Sequence, residues 1–302
     1  MIGKKSELKT TVLGKACHLV VENASGKGQD HLDIALAELQ RLELKFSSYQ
    51  ASSVVSRINQ RAGSATFTEL DPESRSLFQY VEAVWSESRH LFDPTTRVLS
   101  DCYATGLQGQ ELLSQLGERL PLVGWSKLEF NEQGVRLPEP GMVIDLNTCI
   151  RPYALDRTRR LLSSHDVSSA LISLDSDVVT LGKQPDGSNW LIGIRHPLGN
   201  RTTITRLKLN QKGYSIKGSF ENTLRLGNEV FSKALSPIDG QPVPGLLSVA
   251  VVADNCLDAC SASCIARLKT EKEAIKWLDG LGLKWIAINR QMQPLGPLAP
   301  AT

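Results

Sequence analysis

The chain has 302 residues, of which 41% are hydrophobic and 22% are charged, and its formal net charge at pH 7 is +2. This composition is typical of a soluble globular protein, and the near-neutral charge argues against nucleic acid as a partner. No apolar run reaches the length of a transmembrane helix, and the first ten residues lack the hydrophobic core of a signal peptide. These features predict a cytoplasmic protein without a transmembrane segment.

The first half of the chain alternates between extended and helical patterns. Residues 15–24 alternate between polar and apolar and predict a strand, whereas apolar residues at helical spacing over 30–49 predict a long helix. Asp71 and Pro72 have the signature of a helix start and open a second helix. The remaining predictions in this half are a helix over 111–120 and a hairpin that turns at Asn131–Gly134 before a further strand.

The second half is richer in strands. Pro152 suits the first position of a helix, so a helix is predicted over 152–164. The patterns that follow predict strands over 168–182, 189–197, 202–210, 246–254 and 284–289, and helices over 257–268 and 271–281. Because strands and helices are mixed rather than strictly alternating, the predicted fold class is α+β. A single domain is expected over 1–290, and the Pro-rich tail 291–302 is expected to be disordered.

The stretch Val143–Leu162 begins as a buried strand and ends as an amphipathic helix, with Asp145 at the junction. One interpretation is that Asp145 caps nearby backbone donors. The other is a phosphate or metal site: with Pro152 as the first helical residue, Arg151 stands at a helix start, where amide donors favour anions. Both interpretations stay open on this segment alone.

Two further segments carry side chains that suit a ligand. Asp93 lies in the sequence Phe-Asp-Pro-Thr after a predicted helix, where an acid either contacts a ligand or makes a local turn with its own backbone. Taken alone, the turn is favoured. Tyr49 follows the first long helix and either stacks on a flat ring or covers the core, and core cover is favoured on this segment alone.

Common nucleophile and metal motifs are absent from the sequence. There is no GxSxG elbow, no HExxH and no P-loop, and the five histidines are scattered. Cys256, Cys260 and Cys264 are spaced four apart and share one face of a predicted helix. Zinc sites usually combine two closely spaced cysteine pairs, so a buried seam of small residues is favoured over a metal site. Six cysteines without an export signal predict reduced thiols.

Four stretches, taken in order and spacing, resemble the FAD:protein FMN transferases, the ApbE flavin transferases. They are FSSYQASSVVSRIN (46–59), LFDPTTRVL (91–99), IDLNTCIRPYALD (144–156) and LSPIDGQPVPGLLSVAVVADNCLDACSAS (235–263). The resemblance extends from about residue 8 to residue 290. It implies an ApbE-like flavin transferase fold for nearly the whole chain.

The resemblance implies a Mg²⁺-dependent enzyme that takes FAD and attaches FMN through a phosphoester to a Thr or Ser of a target redox protein. Its implied metal ligands are the Thr148 backbone oxygen and Asp258, with Ala262 where the family has Thr. Asp258 is also the implied catalytic residue. Flavin contacts are implied at Leu13, Tyr49, Leu91, Phe92, Asp93, Asp145 and Arg151. Members of this family are often exported and lipid-anchored, which differs from the cytoplasmic expectation above.

Several residues depart from the family pattern. Ile150-Arg151-Pro152 stands where the family usually has Gly-Lys/Glu-Gly, and Asp175-Ser176 stands where a Gly-Gly pair is usual. Lys233 and Ser236 replace a His and an Asp, and Lys217 replaces a Ser. A side chain added where glycine lets a ligand touch the backbone tends to block that approach. Two alternatives therefore stand beside the transferase: a catalytically impaired flavin-binding or regulatory relative, and a non-flavin scaffold of the same fold. In the scaffold, Arg151 and Lys217 fill the vacated pocket.

Overall fold

The computed structural model describes residues 4–23, 26–195, 203–218, 223–226 and 229–300. The helices are α1 (Gly28–Phe46), α2 (Val54–Gln60), α3 (Pro72–Glu87), α4 (Arg97–Ala104), α5 (Gly109–Arg119), α6 (Asn147–Ser164), α7 (Cys256–Arg267) and α8 (Glu271–Gly280). No helix in the described ranges is both long enough and apolar enough to cross a membrane.

The strands are β1 (Lys4–Val12), β2 (Lys15–Asn23), β3 (Glu129–Asn131), β4 (Gly134–Arg136), β5 (Ala170–Leu174), β6 (Asp177–Leu181), β7 (Trp190–Arg195), β8 (Thr203–Leu209), β9 (Gly213–Lys217), β10 (Thr223–Leu226), β11 (Glu229–Ser232), β12 (Ser248–Ala253), β13 (Lys284–Ile288) and β14 (Pro294–Leu295). Helices and strands are mixed along the chain, which confirms the predicted α+β class.

The chain forms two compact units made of interleaved segments. The first unit contains Met1–Glu43, Thr148–Thr223 and Gly245–Thr302, and the second contains Leu44–Asn147 and Leu224–Pro244. The expectation of one domain over 1–290 stays a prediction, and each unit is described below by itself.

The first unit is built on an antiparallel sheet of eight strands in the order β1-β2-β5-β6-β9-β12-β13-β14. Side chains alternate between the two faces of a strand, so Val249 and Val251 of β12 face one side and Ala250 faces the other. The face of Val249 packs against α7 and α8, and the small side chains of Ala259 and Ala262 allow α7 to lie close to the sheet. Residues of the β7–β8 hairpin cover the opposite face.

The second unit is mainly helical. Leu99 of α4 and Leu116 of α5 lie in one buried cluster of this unit. Phe78 of α3 is fully buried and stacks on Trp125, with ring centroids 6.0 Å apart. The short β3–β4 hairpin belongs to the same unit.

Helix α6 begins at Asn147 and not at Pro152, so the predicted start is wrong. The Asp145 Oδ1 atom accepts a hydrogen bond from the Asn147 backbone N–H at 2.8 Å, which satisfies one of the free donors at the helix start. Pro152 therefore lies inside the helix. Arg151 also lies within the helix, and the predicted placement of its side chain at the helix start is wrong.

The tail predicted to be disordered is ordered through residue 300, where the described part ends. Pro294–Leu295 pairs with β13, and the backbone N–H of Leu298 donates to the Trp285 carbonyl at 3.1 Å. Leu298 and Ala299 pack against the apolar cluster on one face of the sheet. The prediction was wrong because it rested on the Pro-rich composition of the tail. Composition does not show that Leu298 and Ala299 can pack against an apolar surface of the sheet.

Candidate active site

The first turns of α6 place one backbone oxygen beside α7 in the first unit. Proline has no backbone N–H, so Pro152 cannot donate to the Thr148 carbonyl four residues earlier in α6. The Thr148 oxygen instead accepts a hydrogen bond from Cys260 Sγ at 3.3 Å. Residues more than a hundred positions apart thus meet at the oxygen that the family resemblance assigns to a metal.

Asp156 joins α6 to the start of α7. Its two carboxylate oxygens accept hydrogen bonds from the backbone N–H groups of Cys256 and Leu257, each at 2.9 Å. The side chain is buried, and Arg159 Nη2 lies 3.3 Å from Asp156 Oδ1. Burial raises the pKa of Asp156, although the two amide bonds act in the opposite direction. This carboxylate fixes the position of the first turn of α7 relative to α6.

Asp258 lies in that first turn and is exposed. Its backbone N–H donates to Asn255 Oδ1 at 2.8 Å, and Asn255 Nδ2 donates to Asp258 Oδ2 at 2.7 Å. The other carboxylate oxygen has no hydrogen bond described within the chain, and Ala262, one turn further on, is buried and carries no side-chain oxygen. Among the described residues, no group of three or more His, Cys, Asp or Glu is placed to hold a metal ion. Any metal here would depend on one carboxylate, backbone oxygen and water.

The two cations named in the scaffold alternative lie in the first unit. Arg151 Nε is buried and has no hydrogen-bond partner in the described part of the chain. Lys217 is buried on β9, and its Nζ donates to both oxygens of Asp177 at 2.8 and 2.9 Å. Burial lowers the pKa of Lys217, but the Asp177 carboxylate and nearby cysteine sulfurs raise it overall. Lys217 is therefore paired within the sheet.

Two hairpin turns of the first unit lie side by side. Leu13 has φ +53° in the β1–β2 turn, a strained conformation for a branched side chain. Asp175 has φ +55° in the β5–β6 turn, and its backbone N–H donates to the Ala16 carbonyl at 2.9 Å. Aspartate tolerates this backbone conformation, so the turn keeps its shape without the glycine usual in the family. The strained backbone at Leu13 makes this turn a candidate for the flavin contact that the family resemblance implies.

Asp93, in the second unit, is buried and uses both carboxylate oxygens within the fold. Its Oδ1 accepts from the Thr95 backbone N–H at 2.8 Å and from Thr95 Oγ1 at 2.5 Å, and its Oδ2 accepts from the Trp125 N–H at 2.8 Å. The favoured interpretation as a local turn is confirmed. The implied flavin contact of Asp93 stays a prediction.

Asp145 is half-buried in the second unit and has two partners there. Besides capping Asn147, it accepts a hydrogen bond from Arg97 Nη1 at 3.1 Å through Oδ2. Its own backbone N–H donates to the Pro94 carbonyl at 2.9 Å. The capping interpretation is confirmed, and the implied flavin contact stays a prediction.

Tyr49 is 76% exposed, so the favoured interpretation as core cover is wrong. It lies in a turn in which its backbone N–H donates to Ser47 Oγ at 3.3 Å. Leu91 and Phe92 are partly buried, and the Phe92 N–H donates to Ser88 Oγ at 2.9 Å. An exposed aromatic ring leaves the stacking interpretation open.

Sequence reasoning missed the residues that hold these segments in place. Asn59 exchanges two hydrogen bonds of 2.9 Å with the backbone of Ile144, and Asn147 Nδ2 donates to Ser48 Oγ at 3.1 Å. Asn59 and Asp156 each end one of the quoted family-like stretches. For Asp156, the available signal was an acidic side chain within the predicted helix over 152–164.

These features define an α+β protein in which oxygen atoms and a carboxylate gather at the starts of two helices. Helix starts favour anions, and hard oxygen donors suit Mg²⁺. A sequence model of the ApbE family matches residues 13–286. The chain belongs to the ApbE family.

Several curated relatives are named FAD:protein FMN transferase. One from Klebsiella pneumoniae is 28% identical over 229 residues, which are 73% of this chain and 69% of the relative. A second from the same organism is 28% identical over 157 residues, 51% of this chain and 41% of the relative. One from Escherichia coli is 28% identical over 133 residues, 43% of this chain and 38% of the relative. The last two alignments span less than half the length of those relatives.

Solved structures share the fold over almost the whole chain. The ApbE protein from Thermotoga maritima has a TM-score of 0.85 at 23% identity, with 97% of both chains covered. The flavin transferase ApbE from Vibrio cholerae has a TM-score of 0.85 at 15% identity, again with 97% of both chains covered. The ApbE-like fold predicted from the sequence is confirmed.

Proposed function

We propose that this chain is a Mg²⁺-dependent FAD:protein FMN transferase, which takes FAD and attaches FMN through a phosphoester to a Thr or Ser of a target redox protein. The single observation that carries the proposal is the meeting of α6 and α7. There the Thr148 carbonyl, which has no helical donor because residue 152 is proline, accepts a hydrogen bond from Cys260 of α7, the helix that carries Asp258 in its first turn.

The donors at this place suit Mg²⁺. Mg²⁺ prefers oxygen ligands, keeps several waters, and is commonly held by only one or two carboxylates. Asp258 offers an exposed carboxylate, and the Thr148 carbonyl oxygen has a second lone pair beyond the one used by the Cys260 thiol. Ala262 adds no ligand, so a water molecule would take the place of the family's Thr.

The chain's own residues would bind and orient FAD. When bound, Mg²⁺ supplies positive charge that offsets the negative charge developing on the FAD diphosphate as its bond breaks. Asp156 holds the first turn of α7 beside α6, which keeps Asp258 in place. The exposed ring of Tyr49 offers a flat face for stacking on a flavin or adenine ring.

The test combines the purified chain with FAD, Mg²⁺ and a redox subunit that carries an acceptor Thr. The readouts are covalent flavin fluorescence on the subunit after denaturing electrophoresis and the release of AMP. Loss of even an indirect metal partner typically costs about 10–100-fold, so Asp258→Asn should lose at least about 100-fold in rate. Asp254→Asn is the matched control, because Asp254 is an exposed carboxylate just before α7 that pairs with Lys212 at 2.5 Å.

The control should keep the wild-type rate. The proposal fails if the wild-type chain transfers no flavin while an active family member does so in the same assay. It fails equally if Asp258→Asn and Asp254→Asn transfer flavin at the same rate.

The second candidate is a flavin-binding relative with impaired catalysis, and Ala262 is the observation that favours it. This residue is buried and provides no oxygen where the family has Thr. Saturable quenching of FAD fluorescence without AMP release would favour this candidate. A faster rate in Ala262→Thr than in the wild type would show that the missing ligand limits the reaction.

A further inference from the structure

Two thiols of α7 lie in direct contact. Cys260 Sγ and Cys264 Sγ are 3.9 Å apart, within the hydrogen-bonding range of sulfur. All six cysteines lie in the described ranges, and only Cys264 is partly exposed, whereas the other five are buried. The pair therefore combines a buried cysteine with one that is partly exposed.

The pair is also linked to Thr148. Cys260 Sγ donates to the Thr148 carbonyl at 3.3 Å. In the contact between Cys260 Sγ and Cys264 Sγ, either sulfur can be the donor. The chemical state of both sulfurs is coupled to the oxygen that the proposed function assigns to Mg²⁺.

We propose that Cys260 and Cys264 form an oxidation-sensitive dithiol. Its conversion to a disulfide by a peroxide weakens the proposed Mg²⁺ site where α6 and α7 meet, and thereby inactivates the protein. The two thiols give up two protons and two electrons, and one S–S bond forms. The O–O bond of hydrogen peroxide breaks, and the peroxide leaves as two molecules of water. A dithiol reductant reverses the change by breaking the S–S bond and becoming a disulfide itself.

The helix brings the two residues near enough for this bond. A rise of about 1.5 Å per residue places Cα atoms four positions apart about 6 Å from each other, inside the range of about 4.4–6.8 Å found in disulfides. The Cβ atoms of such residues are about 5–6 Å apart on a helix, whereas a disulfide needs about 3.5–4.5 Å, so the bond requires this turn of the helix to unwind locally. The sulfurs still have to close from 3.9 Å to a bond length of about 2.05 Å. This closure must distort the turn of α7 between Cys260 and Cys264, which contains Ala262 and follows Asp258.

Oxidation also changes the contact with Thr148. The Cys260 thiol hydrogen disappears, so sulfur lone pairs face the carbonyl oxygen in place of a hydrogen bond. The repulsion moves this oxygen away from α7, and the distorted turn moves Asp258. Both movements weaken Mg²⁺ binding. This consequence depends on the proposed function, whereas the formation of the disulfide does not.

The first part of the experiment follows the bond alone. Reduced full-length protein is treated with hydrogen peroxide and examined by intact mass and peptide mass spectrometry. Trypsin cleavage after Lys233 and Arg267 leaves Cys256, Cys260 and Cys264 in one peptide. Cys256→Ser is the matched control, because Cys256 lies on the same helix but its Sγ donates to the Tyr214 carbonyl at 3.4 Å.

The expected result is the loss of two hydrogens from that peptide in the wild type and in Cys256→Ser, but not in Cys264→Ser. A dithiol reductant should restore the original mass. Retention of both hydrogens by peroxide-treated Cys256→Ser would overturn the proposal.

The second part measures Mg²⁺ dependence of flavin transfer before and after oxidation. We expect oxidation to lower the wild-type rate by about 10-fold or more, with recovery after reduction, because it disturbs groups that position the ligands. Cys264→Ser should keep its rate in peroxide. If peroxide lowered the rate of flavin transfer equally in the wild type and in Cys264→Ser, the proposed regulation by this disulfide would be overturned. A disulfide that forms without any loss of rate would overturn it too. If the reduced wild type transfers no flavin, the proposed function fails, and the mass measurement still decides whether the dithiol forms.

Discussion

Asp93 in the second unit and Asp258 in the first are both implied flavin-site or metal-site residues, yet their surroundings differ completely. Asp93 is buried, and three donors from Thr95 and Trp125 use both of its oxygens. Asp258 is exposed, and a single side-chain donor from Asn255 reaches it. A carboxylate in a family-like motif can therefore serve the fold or the chemistry, and the number of donors it already satisfies separates the two roles.

The largest effect on stability is expected for Asp93→Ala. Removing the carboxylate leaves the buried N–H groups of Thr95 and Trp125 without acceptors, and each unsatisfied buried group costs about 1–3 kcal/mol. We expect the free energy of unfolding to fall by about 3–5 kcal/mol in urea titrations. Asp258→Ala should change it by no more than about 1 kcal/mol. Equal losses in the two variants would remove the distinction between the two carboxylates.

Asp156→Ala should combine both kinds of effect. The backbone amides of Cys256 and Leu257 lose their acceptor, so we expect a loss of about 2–3 kcal/mol in the free energy of unfolding. Because the start of α7 is then free to move, the apparent affinity for Mg²⁺ should also fall by about 10–100-fold.

The Mg²⁺ titration of Asp156→Ala is measured at a temperature at which the variant is fully folded by circular dichroism. A purely structural role predicts an unchanged Mg²⁺ dependence in the protein that remains folded. Such a result would show that Asp156 supports the fold without positioning Asp258.

Tyr49→Ala, in the second unit, should affect ligand binding without lowering the stability of the fold. The ring is 76% exposed, so its removal should change the free energy of unfolding by no more than about 0.5 kcal/mol. A lost stacking contact of about 0.5–1.5 kcal/mol weakens FAD binding by up to about tenfold. Ile238→Ala, which removes another side chain that is 75% exposed in this unit, should leave FAD binding unchanged. Equal FAD affinity in the wild type and Tyr49→Ala would exclude the stacking contact.

Local patterns were sufficient for most helices and strands. The predicted helix over 257–268 is observed as Cys256–Arg267, and the predicted strand over 246–254 is observed as Ser248–Ala253. These elements have caps or an apolar face, and both features can be recognised from residues that are close together in the sequence. The start of α6 was misplaced because Pro152 suits a first helical position, whereas the capping oxygen of Asp145 determines the observed start.

The candidate site was harder to predict because its key contacts join distant segments. The bond from Cys260 to Thr148 and the bonds from α7 to Asp156 connect residues about a hundred positions apart. The local spacing of apolar residues predicts a helix, but it does not indicate which other helix packs against its first turn. Only the family resemblance indicated that the segments near Thr148 and Asp258 converge, and the contact between α6 and α7 confirms that they approach each other.

The smallest effect is expected for Glu7→Gln, and it tests whether a perturbed carboxylate must be functional. Hydrogen bonds from Lys5, Lys9 and His18 lower the pKa of Glu7 to about 2, although the side chain lies at the surface. A lowered folded-state pKa stabilises the protein above the ordinary value of 4.5, and this contribution is lost as the pH falls from 4.5 to about 2.

The stability difference between wild type and Glu7→Gln should therefore shrink over that pH range and also in high salt, which screens surface charges. Urea titrations at several pH values, with an NMR titration of the Glu7 carboxyl group, measure both effects. Flavin transfer should be unchanged, because Glu7 lies on β1 and is none of the residues assigned to FAD or Mg²⁺. A slower transfer in Glu7→Gln would mean that the cluster around Glu7 takes part in the reaction, and that satisfied donors alone do not separate structural from functional carboxylates.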